Sequence, residues 1–374
     1  MIQQRLVDKL SAATAQGLYR SVSVKSDVID FASNDYLGYS QRPEIIAASK
    51  AALDSYGAGG RSSPLICGYS SMHQALEEAI ASFLGTESAL VINAGFAANH
   101  LLLSSVFERG DTVLHDRLNH ASLLDGSMDS GAKIQRFRHN DLSALEKRLG
   151  RFERGPSAVV VEGVYSMDGD QAPLREISDL LNAKQTPLIV DDAHGIGVVG
   201  PQGRGSVIAA GVAPSHVFAQ VVTFGKALGS FGAAIAGSAS LINYLRNFGR
   251  GYIYSTAIPA SQCAATLAAI RLLERGDDAP LRLAANVRCF KRLAQSHGIE
   301  VSASDGPIQP LVVGSTEGVM QAAKRLAEHK LLVGAVRAPT VAAGSERLRI
   351  SLSAAHSEAQ IGALVTSLAE VLHV

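Results

Sequence analysis

Four short apolar runs, Ala89–Ile92, Ala158–Val161, Leu188–Val190 and Val217–Val222, constrain this chain more than anything else in it. None is long enough to cross a bilayer, and none alternates with polar residues as a strand with one wet face does. Around them lie stretches with helical spacing, such as His73–Leu84, Leu142–Leu149 and Leu174–Ala183. Only a strand buried on both faces reads as an uninterrupted apolar run. The pattern therefore predicts an α/β fold with a mainly parallel sheet covered by helices on both sides.

The same pattern suggests boundaries. Residues 1–36 read as a short helix and an extended piece, an arm rather than a domain. Residues 37–270 hold the alternation and form a large domain. Residues 271–374 read as a smaller α+β domain, entered through a hinge at Gly276-Asp277-Asp278. It carries a helix (Arg282–Ser296), a strand (Ile308–Val313), a helix (Gly318–Lys330), two short strands and a last helix. A large and a small domain in one chain predict a ligand cleft between them.

Composition removes several function classes. Lys+Arg and Asp+Glu both number 34, so no broad field attracts nucleic acid or an anionic membrane. With 47% hydrophobic and 18% charged residues, the chain has the profile of a globular enzyme, not a disordered tail. Cys67, Cys263 and Cys289 fit neither a metal knuckle nor a paired framework, so no metal is expected and a reducing cytosol is the simplest compartment. The N-terminus mixes charges with apolar residues and lacks the apolar core of a signal peptide.

Lys226 is the first chemical candidate. Between Gly205 and Leu245 there is no other Asp, Glu, Lys or Arg. Most lysines in loops are surface residues. This one stands just past an apolar strand, in Thr223-Phe224-Gly225-Lys226-Ala227-Leu228-Gly229. Withdrawal from water lowers a lysine's pKa and frees its lone pair for imine formation.

Asp191-Asp192-Ala193-His194 follows the run Leu188–Val190 directly. Ligand groups gather at the carboxyl ends of parallel strands. A carboxylate there can hold a protonated pyridine nitrogen, and His194 can bond a phenolic oxygen on the same ring. A helix cap with a structural His reads equally well. Gly195-Ile196-Gly197-Val198-Val199-Gly200 matches a dinucleotide fingerprint, but Pro201-Gln202-Gly203 follows and cannot continue a helix. It reads as a glycine-rich turn.

Asn93-Ala94-Gly95-Phe96 stands between a strand and an apolar helix, where free backbone N–H groups can receive a phosphate or simply make a turn. His120, in Asn119-His120-Ala121-Ser122, can stack on a flat ring or be structural. Arg347 and Arg349 share a face of an alternating strand, as a carboxylate fork or a solvated surface.

Taken together, the motifs resemble one family. NDYLG (Asn34–Gly38), GYSSMHQALEE (Gly68–Glu78), AGFAAN (Ala94–Asn99), LNHASLLDG (Leu118–Gly126), EGVYSMDGD (Glu162–Asp170), DDAHGIGVVG (Asp191–Gly200), TFGKALG (Thr223–Gly229) and YSTAIP (Tyr254–Pro259) look, in that order, like the α-oxoamine synthases. The resemblance covers nearly the whole chain. It implies a fold-type I transferase dependent on pyridoxal 5'-phosphate (PLP). Such enzymes join an amino acid to an acyl thioester with release of CO2, as homodimers with the active site at the subunit interface. Phe137–Asp141, Ile308–Gly314, Arg347–Leu352 and Ala354–His356 favour the branch serving biotin synthesis, which joins alanine to a pimeloyl thioester on CoA or an acyl carrier protein.

Residue by residue, the resemblance implies that Lys226 holds PLP as a Schiff base. Asp191 pairs with the pyridine nitrogen, His194 with the phenolic oxygen, and His120 stacks on the ring. Gly95, Phe96 and Thr223 hold the phosphate, with Ser255 or Thr256 from a second subunit. Ser166 sits beside the ring, Glu162 and Asn34 line the substrate side, Arg349 binds the amino acid's carboxylate, and Arg20 meets the distal carboxylate of the acyl chain. The chain departs from the family pattern at Gly57-Ala58-Gly59-Gly60-Arg61, where Gly-Ser-Gly-Gly-Ser is usual, and at Cys67, where serine is common. The alternatives are other members, using glycine with acetyl-CoA or succinyl-CoA, or serine with a long acyl-CoA, and a non-catalytic partner subunit.

Overall fold

The computed structural model describes residues 1–153 and 155–372. Its named strands are β1 (Ile29–Phe31), β2 (Ser88–Ile92), β3 (Thr112–Asp116), β4 (Lys133–Phe137), β5 (Ala158–Glu162), β6 (Leu188–Asp191), β7 (Ala219–Thr223), β8 (Ala233–Gly237), β9 (Ile308–Val312), β10 (Leu331–Val336) and β11 (Arg347–Ser351). The chain divides into two compact units. One is Asn34–Ser166 with Asp170–Arg282; the other is Met1–Ser33 with Met167–Gly169 and Leu283–Val374.

The larger unit carries a seven-stranded sheet in the order β2-β8-β7-β6-β5-β3-β4. Neighbours from β7 to β4 run parallel, and β8 alone is antiparallel to both its neighbours. The apolar runs become β2, β5, β6 and β7, with every residue buried in β5, β6 and β7 and only Ser88 partly exposed in β2. Alternate residues feed two separate cores. Ala158, Val160 and Ile189 pack with Leu101, Leu102, Leu123, Ile242 and Leu245 on one face. Val159, Val161, Leu188 and Val190 pack with Leu145, Leu149, Ile177 and Leu181 on the other. Each fully buried aliphatic side chain contributes about 1.5–3 kcal/mol relative to exposure, so both faces drive assembly. The helices Ser71–Leu84, Leu142–Leu149 and Leu174–Asn182 stand where helical spacing predicts them. β8, with the sequence Ala-Ala-Ile-Ala-Gly, escapes pattern reading because small residues have low strand propensity.

The smaller unit has a four-stranded sheet in the order β1-β10-β11-β9. β1 runs parallel to β10 in register Ile29 with Leu331, so the N-terminal arm completes a sheet built almost wholly from the C-terminal sequence. Helices Thr316–Glu328 and Glu358–Leu372 bury Val319, Leu326, Ile361, Leu364, Val365 and Leu368. Among the described residues no helix is long and apolar enough to cross a membrane, and no cluster of His, Cys, Asp or Glu has a metal-holding arrangement.

One ionic feature braces the larger unit beside the sheet's carboxyl edge. His139 Nδ1 lies 2.9 Å from Asp116 Oδ1, and Nε2 lies 2.7 Å from Asp170 Oδ2. Asp116 closes β3 and also accepts the backbone N–H groups of Leu118 and Asn140. Burial opposes charge on His139, but the two carboxylates outweigh it and lift its pKa to about 10. A histidine whose folded pKa exceeds its unfolded value stabilises the protein fully below about pH 6.5. That contribution fades as pH rises toward the folded value. Urea denaturation should therefore show the wild-type chain losing stability from pH 6.5 toward 10 relative to His139→Gln. A constant difference between the two across that range would refute the assignment.

Candidate active site

The parallel strands end side by side, and their last residues carry the chemistry. Glu162 at the end of β5 pairs in register with Asp191 at the end of β6, and β7 ends at Thr223. These three line a cavity of about 210 Å3 with Gly95, Phe96, Asn99, His120, Ser122, Ala193, His194 and Lys226. The cavity thus collects eight of the residues singled out from sequence.

Strand alternation divides Asp191 from Asp192. Asp191 turns to the cavity and is held at both oxygens: Asn99 Nδ2 donates to Oδ2 at 2.6 Å, and the Ala193 N–H donates to Oδ1 at 3.0 Å. Asp192 points the other way and is fully buried. It accepts from the Ser206 N–H, Ser206 Oγ and Gln220 Nε2 at 2.6–2.9 Å, and burial pushes its pKa up to about 6. A Cβ on Gly195 would stand 1.9 Å from Asp192 Oδ1. The first glycine of the dinucleotide-like run is thus a packing requirement, and a bridge between Ile196 and Arg204 replaces the helix a dinucleotide site would need.

Lys226 sits in the bend after β7, with Nζ 2.7 Å from His194 Nε2. Its loop closes with the Gly229 N–H donating to the Lys226 carbonyl. Gly229 has φ +62°, and a Cβ there would meet Ser40 N at 2.3 Å, so only glycine lets the lysine loop pack against Tyr39–Ser40. His120 precedes the helix Ala121–Asp129 as its cap, and its Nδ1 lies 2.8 Å from Ser122 Oγ. Its backbone N–H donates to Glu162 Oε1 at 2.6 Å. Withdrawal of the ring from water holds His120 below the ordinary imidazole range, reinforced by Lys226 and opposed by Asp191. Burial, with Asp191 nearby, lifts the Glu162 carboxyl well above its usual range.

At the other end, Gly95 opens the helix Gly95–Val106 without a capping side chain, after Ala94 in extended backbone. Phe96 stands edge-on to His120, with ring centroids 6.4 Å apart. A helix start facing a cavity receives an anion. The donor set therefore fits PLP: a carboxylate for a ring nitrogen, an imidazole beside the amine, an aromatic wall and an anion-receiving helix start.

Other sequence candidates fall elsewhere. Ser166 does not line the cavity, but its backbone N–H bonds the Glu162 carboxylate. Asn34 accepts from Tyr36 Oη at 3.0 Å. Ser255 and Thr256 line a separate small cavity with Asn93, Val91 and Pro64. Arg20 and Arg349 belong to the smaller unit. Arg20 is exposed. Arg349 is buried on β11, its Nη1 2.8 Å from Ser351 Oγ, while Arg347 is engaged by Asp168.

Asn99 and Tyr36 were not singled out. Asn99 is buried, also bonds Ser122 Oγ at 2.9 Å, and leaves its own Oδ1 unpaired. An amide one turn after Gly95, on an otherwise apolar helix face, is the signal that could have found it.

Comparison with known proteins agrees with this chemistry. The family model "aminotransferase class I and II" matches residues 26–368. The chain is 46% identical over 344 residues to an 8-amino-7-oxononanoate synthase of Methylococcus capsulatus, covering 92% of this chain and 89% of that protein. Among solved structures it resembles a serine palmitoyltransferase variant from S. paucimobilis with a PLP–myriocin adduct bound. That match has TM-score 0.89 and 30% identity over 98% of this chain and 96% of that one. It also resembles an 8-amino-7-oxononanoate synthase from Francisella tularensis, with TM-score 0.81 and 30% identity over 93% of this chain and 99% of that one.

Proposed function

The chain belongs to the class I and II aminotransferase family, and from that premise we propose that it condenses L-alanine with a pimeloyl thioester. The products are 8-amino-7-oxononanoate, CO2 and the free thiol carrier, a step of biotin synthesis. PLP is its cofactor. The observation that carries the site assignment is the single cavity in which Lys226, His194, Asp191 and His120 meet the start of the helix Gly95–Val106.

When bound, PLP supplies an electron sink for the pair left at the amino acid's Cα. Lys226 Nζ would hold the cofactor, and the same amine is the base placed to take the Cα proton of the amino acid. Its contact with His194 keeps the amine aimed into the cavity. Asp191 would offset the positive charge of the ring nitrogen, its orientation set by Asn99 and the Ala193 N–H. His120, which lines the cavity, would stand beside the cofactor ring and could stabilise negative charge that develops on the substrate as CO2 is lost. Gly95, Phe96 and Thr223 receive the phosphate, with Ser255 or Thr256 of a second copy completing the site in a homodimer. Glu162, Ser166 and Asn34 border the substrate, and Arg20 serves the distal carboxylate of the acyl chain. An acyl carrier protein or CoA delivers that chain, and the compartment is the cytosol.

Arg349 is the ligand for the alanine carboxylate, a charge-assisted contact from a buried, pre-set guanidinium. Arg349→Ala should raise the KM for alanine about tenfold or more, with a smaller change in the KM for the thioester. An unchanged KM for alanine removes Arg349 from the reading. The reaction itself is tested by thiol release with alanine and pimeloyl-CoA. Equal or faster release with glycine or serine, or with acetyl-, succinyl- or palmitoyl-CoA, would assign the chain to another member of the group.

A further inference from the structure

Tyr36 is fully buried. Its hydroxyl lies 2.8 Å from His194 Nδ1 and donates to Asn34 Oδ1 at 3.0 Å. The opposite ring nitrogen, Nε2, lies 2.7 Å from Lys226 Nζ. Asn34, Tyr36, His194 and Lys226 thus form one hydrogen-bonded line from the segment before the helix Pro43–Tyr56 to the amine. A hydroxyl has one hydrogen. Given to Asn34, it leaves Tyr36 Oη able only to accept from His194. Nδ1 of a neutral ring must then carry the proton, and Nε2 faces Lys226 with a lone pair. If Asn34 instead turns its amide N–H toward Tyr36, the hydroxyl donates to Nδ1 and Nε2 becomes the donor.

We propose that Tyr36, directed by Asn34, is a positioning residue that sets which nitrogen of His194 is protonated. It thereby decides whether His194 meets Lys226 and the cofactor's phenolic oxygen as acceptor or as donor. The part concerning the phenolic oxygen rests on the reading of the cavity as a PLP site. The charged and titratable groups sharing that cavity with His194 are Lys226, Asp191, Glu162 and His120, and Tyr36 meets the ring from outside it. Tyr36 Oη is the group whose contact with Nδ1 carries the assignment.

The test reads the ring nitrogens directly. In the full-length, cofactor-free protein labelled with 15N-histidine, His194 should show Nδ1 protonated. Asn34→Asp, whose carboxylate can only accept, should preserve that state. Asn34→Ala removes the acceptor that holds the Tyr36 hydrogen away from His194 and should shift the proton toward Nε2, while Tyr36→Phe should give a mixture. Identical His194 nitrogen shifts in wild type, Asn34→Ala and Tyr36→Phe would overturn the proposal. So would identical shifts in Asn34→Asp and Asn34→Ala. In the PLP-loaded protein, the pH midpoint of the cofactor's visible band should move by about one unit in Tyr36→Phe. An unmoved midpoint counts against the second half. If no visible band forms in wild type while the nitrogen shifts respond, the cofactor reading fails and the tautomer assignment stands.

Discussion

Lys226→Ala abolishes turnover, with a fall on the order of 10^3-fold or more, and removes the absorbance of a covalently held cofactor. The argument is chemical and local. Among the described residues Lys226 is the one amine lining the cavity, and Nζ already sits 2.7 Å from His194 Nε2. A methyl group can neither hold PLP nor carry a proton, and no other described residue lining the cavity has an amine to substitute. The fold should survive, because Lys226 lies in a bend and its loop is set by Gly229 against Tyr39–Ser40. Borohydride reduction of the PLP-loaded wild type followed by peptide mapping gives the complementary result, a label on the peptide containing Lys226. A label on any other lysine would end the assignment.

Asp191→Asn should lower turnover by on the order of 10^2–10^4-fold, with weaker retention of PLP. The mutation removes the charge that offsets the ring nitrogen's proton. It also turns an amide hydrogen toward Asn99 Nδ2 or the Ala193 N–H, both of which donate to the native carboxylate. The neighbouring Asp192 provides the internal control. It faces away, bound by Ser206 and Gln220, so its loss should appear as lower stability before it appears as altered cofactor absorbance. Turnover within a few-fold of wild type in Asp191→Asn would show that this carboxylate does not face the reacting ring.

The local patterns carried the regular elements. An uninterrupted apolar run needs burial on both faces, and the alternate residues of β5 do enter two different cores. Helix Leu142–Leu149 has the bounds its spacing predicts. The isolated charge at Lys226 and the Asp191–His194 segment were likewise visible, because a charge in an apolar stretch or at a strand end is anomalous within a few residues.

What no local pattern contains is register and return. β8 enters the sheet antiparallel between β2 and β7 and bonds both, although Ala-Ala-Ile-Ala-Gly has little strand preference of its own. β1 joins a sheet about three hundred residues away in sequence, through pairing with Leu331–Val333. Asn99 reaches Asp191 across 92 residues, and Tyr36 reaches His194 across 158. Such contacts depend on loop closure and on which faces the packed helices leave free. Sequence alone therefore determined which segments are buried and which side chains are chemically out of place, through short-range hydrophobic periodicity. Tertiary structure decided which of those side chains share one cavity and which oxygen meets which hydrogen, since a hydrogen bond depends on positions that only the closed chain defines.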